Sequence, residues 1–214
     1  MQPKPSEMPA LEKDRRFKRS LKGSPRHLDR LANRPELRKP YILSLEEQAK
    51  LLDALSEDSK RMPLFMLNTG CREREVCDLQ WAWERKVSVL NTSVFVIPCH
   101  GTEGRLVVLN DIAKALIEQQ RDLHPTHVFT HKGQPCTRIN PFAWKRARHS
   151  VGLPKIRVYD LRLTIDKRLE QAGVALKDRE MLLGCQKTPD DSQDRWCNWI
   201  QALNKVGSID GSRV

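Results

Sequence analysis

Between Lys86 and Leu109 the texture of the chain changes, and that change restricts the folds open to it more than any other feature. Lys86–Leu90, Val94–Ile97 and Arg105–Leu109 are rich in β-branched residues, and the turn-forming stretches Asn91-Thr92-Ser93 and His100–Gly104 separate them. Three short strands joined by short turns form an antiparallel meander. On either side the apolar residues recur at helical spacing instead. Ser44 and Glu47 make a capping-box signature, followed on one face by Leu45, Ala49, Leu52 and Leu55. A second helix is expected from Pro63 through Leu67, stopping at Thr69-Gly70, and a third from about Arg72 to Leu79. After the meander, helices are expected from Asn110, from Asn140-Pro141, from Tyr159 to Ala172 and from Ala175 to Leu183, with Gly173 and Gly184 as stops. A last amphipathic stretch follows Pro189. Helices, a small sheet and helices again predict an α+β domain that is mainly α, with no internal repeat.

The punctuation also sets the organisation. Residues 1–40 read as a basic, flexible arm, 41–206 as one folded domain, and 207–214 as a tail. The net charge of +11 favours a polyanionic partner such as nucleic acid over an acidic small molecule. That charge is uneven, because the arm holds twelve cations against five anions. Such an arm is solvated and can still bind phosphates.

The six cysteines show no paired short spacing of the zinc type, and no long apolar span or signal peptide is evident. The expectation is a cytoplasmic protein with reduced thiols, no metal, no cofactor and no membrane contact. If bacterial, it would be associated with the nucleoid.

Thr69-Gly70-Cys71-Arg72-Glu73-Arg74-Glu75 is a Thr-Gly turn followed by an arginine and, three residues on, a glutamate. The small sheet follows, then Tyr159-Asp160-Leu161-Arg162-Leu163-Thr164, Leu182-Leu183-Gly184-Cys185 and Arg195-Trp196. Over residues 41–206 this order resembles the catalytic domain of the tyrosine recombinases, the phage integrase family, with its arginine box, His-x-x-Arg, Leu-Gly-His and Arg-Tyr. The resemblance implies that family's fold, a double-stranded DNA partner, and attack of a tyrosine on a DNA phosphodiester. The DNA-clamping domain usual at the N-terminus of the family is not expected to be replaced by the short arm.

The matching positions are Arg72, His100, Tyr159, Arg162, Cys185 and Trp196, and of these only the two arginines keep the family's residue. Guanidinium groups suit the charge that builds on phosphate oxygens, so Arg72 and Arg162 are expected to form a phosphate cradle. Arg72 also stands one helical turn from Glu75 and can pair with it. No lysine occurs between Lys86 and Lys114, which leaves His100 nearest the family's sheet lysine. Tyr159 and Cys185 replace histidines, and Leu163 stands where a histidine is common. Trp196 fills the nucleophile's place, and an indole has no hydroxyl to attack phosphorus. The only tyrosines are Tyr41 and Tyr159. Trp196 and Trp199 read most simply as packing residues, and Cys71, Cys77 and Cys185 as small core residues.

Lys145, Arg146, Arg148 and His149 make a basic helical segment expected to contact DNA phosphates, with Phe142 and Val151 as its apolar positions. At the C-terminus Trp196, Trp199, Ile200, Leu203 and Val206 form an apolar stripe. It either packs against its own domain or, as the resemblance implies, docks on a second copy or on an active integrase. The resulting expectation is a catalytically inactive, integrase-like DNA-binding protein that modulates site-specific recombination or transcription, encoded on a mobile element. The alternatives are a divergent nicking or strand-exchange enzyme using Cys197, Ser192 or water, and an interaction module that inhibits an active integrase.

Overall fold

A computed structural model of the chain describes residues 39–87, 92–99, 102–184 and 193–207. The chain divides into two units, Met1–Lys39 and Pro40–Val214, and the fold is that of the second. The expected arm, apart from its last two residues, and the expected tail, apart from Gly207, lie outside the described residues.

Helix α1 (Leu45–Asp53) begins at the capping box read from the sequence. The Ser44 hydroxyl accepts from the Glu47 amide at 3.1 Å, and the Glu47 carboxylate accepts from the Ser44 amide at 2.9 Å. Helix α2 (Glu57–Thr69) starts six residues before the expected Pro63, so the proline lies inside it. Pro63 forfeits only the bond to the carbonyl one turn earlier. Ser56 with Glu57 and Asp58 gives the start signal that the proline had masked, since carboxylates favour a first turn. Helix α3 (Glu73–Cys77) is a single turn and leads through a 3-10 turn at Trp81–Trp83 to the sheet.

Strands β1 (Glu84–Val87), β2 (Thr92–Cys99) and β3 (Thr102–Val108) pair antiparallel in chain order, as expected. Phe95 lies opposite Glu84 on one side and Val107 on the other. Alternation sends side chains to opposite faces, and the sheet separates two cores. Phe95, Ile97, Val107 and Leu109 join α1–α3 in the larger one. Val87, Val94, Leu106 and Val108 join the C-terminal helices in the smaller.

Helix α4 (Asp111–Glu118) is capped by Asn110 and followed by the hairpin β4 (Thr130–His131) and β5 (Gln134–Pro135). The hairpin was not foreseen. Its turn residues Lys132 and Gly133 both have positive φ, at 52° and 74°, the geometry of a two-residue hairpin loop usually marked by Asn-Gly. Helices α5 (Pro141–Ser150), α6 (Val158–Gln171), α7 (Leu176–Leu182) and α8 (Gln193–Gly207) complete the unit. Thr164 of α6 ties the chain entrance down, its hydroxyl accepting from the Leu43 amide at 3.1 Å.

Helix α8 takes the first of the two options that the sequence left open. Its stripe is occupied in cis: Trp199, Leu203 and Val206 are buried in the smaller core, with Trp196 and Ile200 partly buried against it. Polar bonds fix the register. The Trp199 indole donates to Asp178 at 3.1 Å, Asn110 donates to the Leu203 carbonyl at 3.2 Å, and the Asp111 amide donates to Asn204 at 2.9 Å. Docking of this stripe on another protomer would require stripping the smaller core. Among the described residues no helix is long and apolar enough to cross a membrane.

One buried group stands against the packing. Gln48 on α1 is fully buried, and neither of its side-chain polar atoms has a partner among the described residues. An unsatisfied buried polar group costs about 1–3 kcal/mol. Gln48→Met is therefore expected to raise the unfolding free energy by about 1 kcal/mol, read as a higher urea midpoint at unchanged slope.

Candidate phosphate site and basic groove

The C-terminal ends of α2 and α7 meet at Gly70 and at Leu182–Gly184. A helix end leaves carbonyls without intrahelical partners and carries partial negative charge. Arginines from three different elements converge on those carbonyls. Arg162 of α6 donates one terminal nitrogen to the Gly70 carbonyl and the other to that of Leu183. Arg105 of β3 reaches the Leu182 carbonyl at 3.1 Å and the Gly70 carbonyl at 3.4 Å, and pairs with Glu75. Arg72, ahead of α3, bonds the other Glu75 oxygen at 2.7 Å and reaches the Gly184 carbonyl at 3.5 Å. The pairing of Arg72 with Glu75 expected from one-turn spacing is present.

The glycines permit this approach. Gly70 sits at φ +65°, and a Cβ there would lie 2.4 Å from the Leu183 side chain. A Cβ at Gly184 would fall 2.3 Å from the Arg105 side chain.

The arginines differ in access. Arg162 is 4 % exposed, whereas the Arg72 side chain is 44 % exposed. The Arg72 guanidinium is thus open to solvent, whereas both terminal nitrogens of Arg162 are bonded to carbonyls. Arg105 escaped the sequence reading. Its signal was alternation, because it shares a strand face with Val107 and Leu109 and so points into the larger core.

His100 and Cys185 lie outside the described residues. Tyr159 is exposed on the first turn of α6. Trp196 stands in the first turns of α8, half-buried, its indole nitrogen buried without a partner among the described residues. Cys71 and Cys77 are core residues as expected, and burial, helped by the Glu73 carboxylate, pushes the Cys77 thiol up to about 12. Among the described residues no group of three or more His, Cys, Asp or Glu could hold a metal ion.

A second cationic feature lies on α5. Trp144 and Ala147 are its buried face, while Phe142, one of its two apolar positions in the sequence, is 84 % exposed because it falls on the opposite side of the helix. Lys145, Arg146 and His149 are exposed. Arg148 is half-buried and donates to the Ile156 carbonyl at 2.9 Å, which fixes the start of α6 against α5. Lys145 and Arg148 line one groove with Arg138 and Arg157, which the sequence reading had not singled out. Its one carboxylate, Glu73, accepts from the Ile139 amide at 2.8 Å. Arg138 and Arg157 come from loops about 20 residues apart, so no local pattern could have joined them.

The arginine cluster yields a stability test. Glu75→Gln removes the charge that Glu75 sets against the buried Arg105 and is expected to cost about 3 kcal/mol, the usual penalty for breaking a buried pair. Arg162→Ala strips the Leu183 carbonyl of its side-chain donor and leaves the Gly70 carbonyl only its longer bond to Arg105, and should cost about 2 kcal/mol, whereas Arg72→Ala should cost under about 1 kcal/mol because its pair faces solvent. Urea denaturation of the three variants checks the ranking.

Residues 42–188 match the phage integrase family model. The integrase of Salmonella phage P22 is 26 % identical over 157 residues, covering 66 % of this chain and 40 % of that protein. The chain thus spans well under half the length of that relative. Among solved structures, the Tn1549 transposon integrase in complex with circular-intermediate DNA superposes with a TM-score of 0.56 at 16 % identity, over 78 % of this chain and 62 % of the other. The XerH site-specific recombinase bound to its difH substrate gives 0.55 at 18 % identity, over 81 % and 53 %. These likenesses establish a shared fold, and with the family match across most of its length the chain belongs to the phage integrase family.

Proposed function

We propose that this protein is a DNA-binding member of the integrase family that no longer performs strand exchange and modulates site-specific recombination or transcription by occupying DNA. The observation that carries the reading is Trp196. The sequence match aligns this indole with the family's nucleophile, and its ring packs against the smaller core, with its nitrogen buried. Covalent attack on phosphorus needs an ionisable hydroxyl there. The two tyrosines lie on other elements: the Tyr41 hydroxyl donates to Glu47 at 2.6 Å, and Tyr159 is in the first turn of α6.

DNA binding rests on the cations that remain. The Tn1549 integrase and XerH structures were both solved on DNA. Here Arg138, Lys145, Arg148 and Arg157 line one groove, flanked by the exposed Arg146 and His149 of α5. Such a surface takes phosphates rather than reading base edges, because lysines and arginines presented along a groove recognise charge. Arg72 adds an accessible guanidinium at the arginine cluster. Arg162, already bonded to carbonyls, holds that cluster in shape and supplies a phosphate contact if the carbonyls release it.

The test uses nicked suicide duplexes and plain duplex. No denaturation-resistant adduct is expected, and an adduct lost on Tyr159→Phe or Cys197→Ala would overturn the inactive reading. A mobility shift that weakens steeply with salt is expected, and Lys145→Ala and Arg157→Ala should each reduce the salt slope by about one. Salt-independent affinity would remove the phosphate-groove argument.

A further inference from the structure

A second cavity adjoins the basic groove. It has a volume of about 440 Å³, within the roughly 300–1,000 Å³ of small-molecule sites. Met62 of α2, Phe129 ahead of β4 and Ile139 supply apolar walls, and Gln120, Cys136 and Arg138 supply polar groups. Gln120 is 1 % exposed, and its amide nitrogen has no hydrogen-bond partner among the described residues. A buried amide donor without an acceptor is rare in folded proteins and points to a ligand or water that completes it. Thr137, Arg138, Ile139 and Pro141 line the cavity and the groove together, so the two spaces share a wall.

We propose that this cavity is a nucleotide site, holding a planar base against Met62 and Phe129 with an acceptor on the Gln120 amide, while the nucleotide's phosphate lies on Arg138. The chemistry selects that class. A hydrocarbon would leave Gln120 unsatisfied, and a bare anion would leave the apolar walls empty. A base offers carbonyl and ring-nitrogen acceptors on a flat apolar body, and its attached phosphate matches the cation at the boundary of the two spaces. The ligand is either a free nucleotide or an unpaired nucleotide swung out of a DNA strand. The proposal rests on the reading of the groove as a phosphate surface.

Alkylation of Cys136, mapped by mass spectrometry on the full chain, reports occupancy. The probes are deoxynucleoside monophosphates, duplexes with one unpaired nucleotide, the same duplexes with an abasic site, and inorganic phosphate. Monophosphates or unpaired-nucleotide duplexes are expected to slow alkylation, and whichever does so identifies the source. The abasic duplex and phosphate should not protect. Gln120→Leu should melt higher than the parent, since it removes a buried unsatisfied donor, yet weaken protection about tenfold. The exposed Arg138→Ala should leave melting unchanged and weaken protection by a similar factor. Equal protection by inorganic phosphate or the abasic duplex, no protection by any probe, or undiminished protection in both variants would overturn the site. Failure of plain duplex to bind at low salt would count against the groove reading instead, because the monophosphate arm does not depend on duplex binding.

Discussion

Two helix ends that meet without a cation between them would leave a knot of unpaired carbonyls inside the protein. The C-termini of α2 and α7 meet in this way, and Arg72, Arg105 and Arg162 reach their carbonyls from three separate elements. Each guanidinium brings several donors in a rigid plane, so one side chain can bond two carbonyls at once. Arg162 does so between Gly70 and Leu183, joining the helices. Glu75 offsets part of the concentrated charge by dividing its two oxygens between Arg72 and Arg105. The sheet is held by the same cluster, because Arg105 belongs to β3, and a glycine is required at 184 because the Arg105 side chain occupies the space of a Cβ.

This arrangement separates two tasks that the sequence motifs place on the same residues. Within the cluster the terminal guanidinium nitrogens are engaged by backbone carbonyls or by Glu75, and only Arg72 faces solvent to a large degree. Another group of cations lies along α5 and the loops carrying Arg138 and Arg157. Helix α8 belongs to the structural side of that division. Its apolar stripe closes the smaller core, and its polar residues are bonded to the loop at Asn110 and Asp111.

The elements that could be read in advance are those whose signals are local. Ser44 with Glu47, Asn110 and Asn140-Pro141 each satisfy amides within three residues of themselves, so cap and helix start were legible together. The meander was legible because β-branched runs and turns alternate within a few residues. The hairpin at Thr130–Pro135 escaped because its turn uses Lys132, a residue that seldom adopts positive φ. Pro63 misled because a proline past the first turn removes one bond without ending a helix that is packed on both sides.

By itself the sequence determined the fold class, the three-stranded meander between helices and the family to which the chain belongs, since each is a matter of residue identity and short spacing. Tertiary structure alone decided what the cations do. It turned Arg162 inward onto two carbonyls, brought Arg105 to Glu75 across thirty positions, and gathered Arg138, Lys145 and Arg157 into one groove. It also settled that the C-terminal stripe packs in cis, where sequence left two options open. The physical reason is the same throughout. A guanidinium or an apolar stripe carries a demand for partners in its own chemistry, but which carbonyl, carboxylate or core meets that demand depends on elements that only folding brings together.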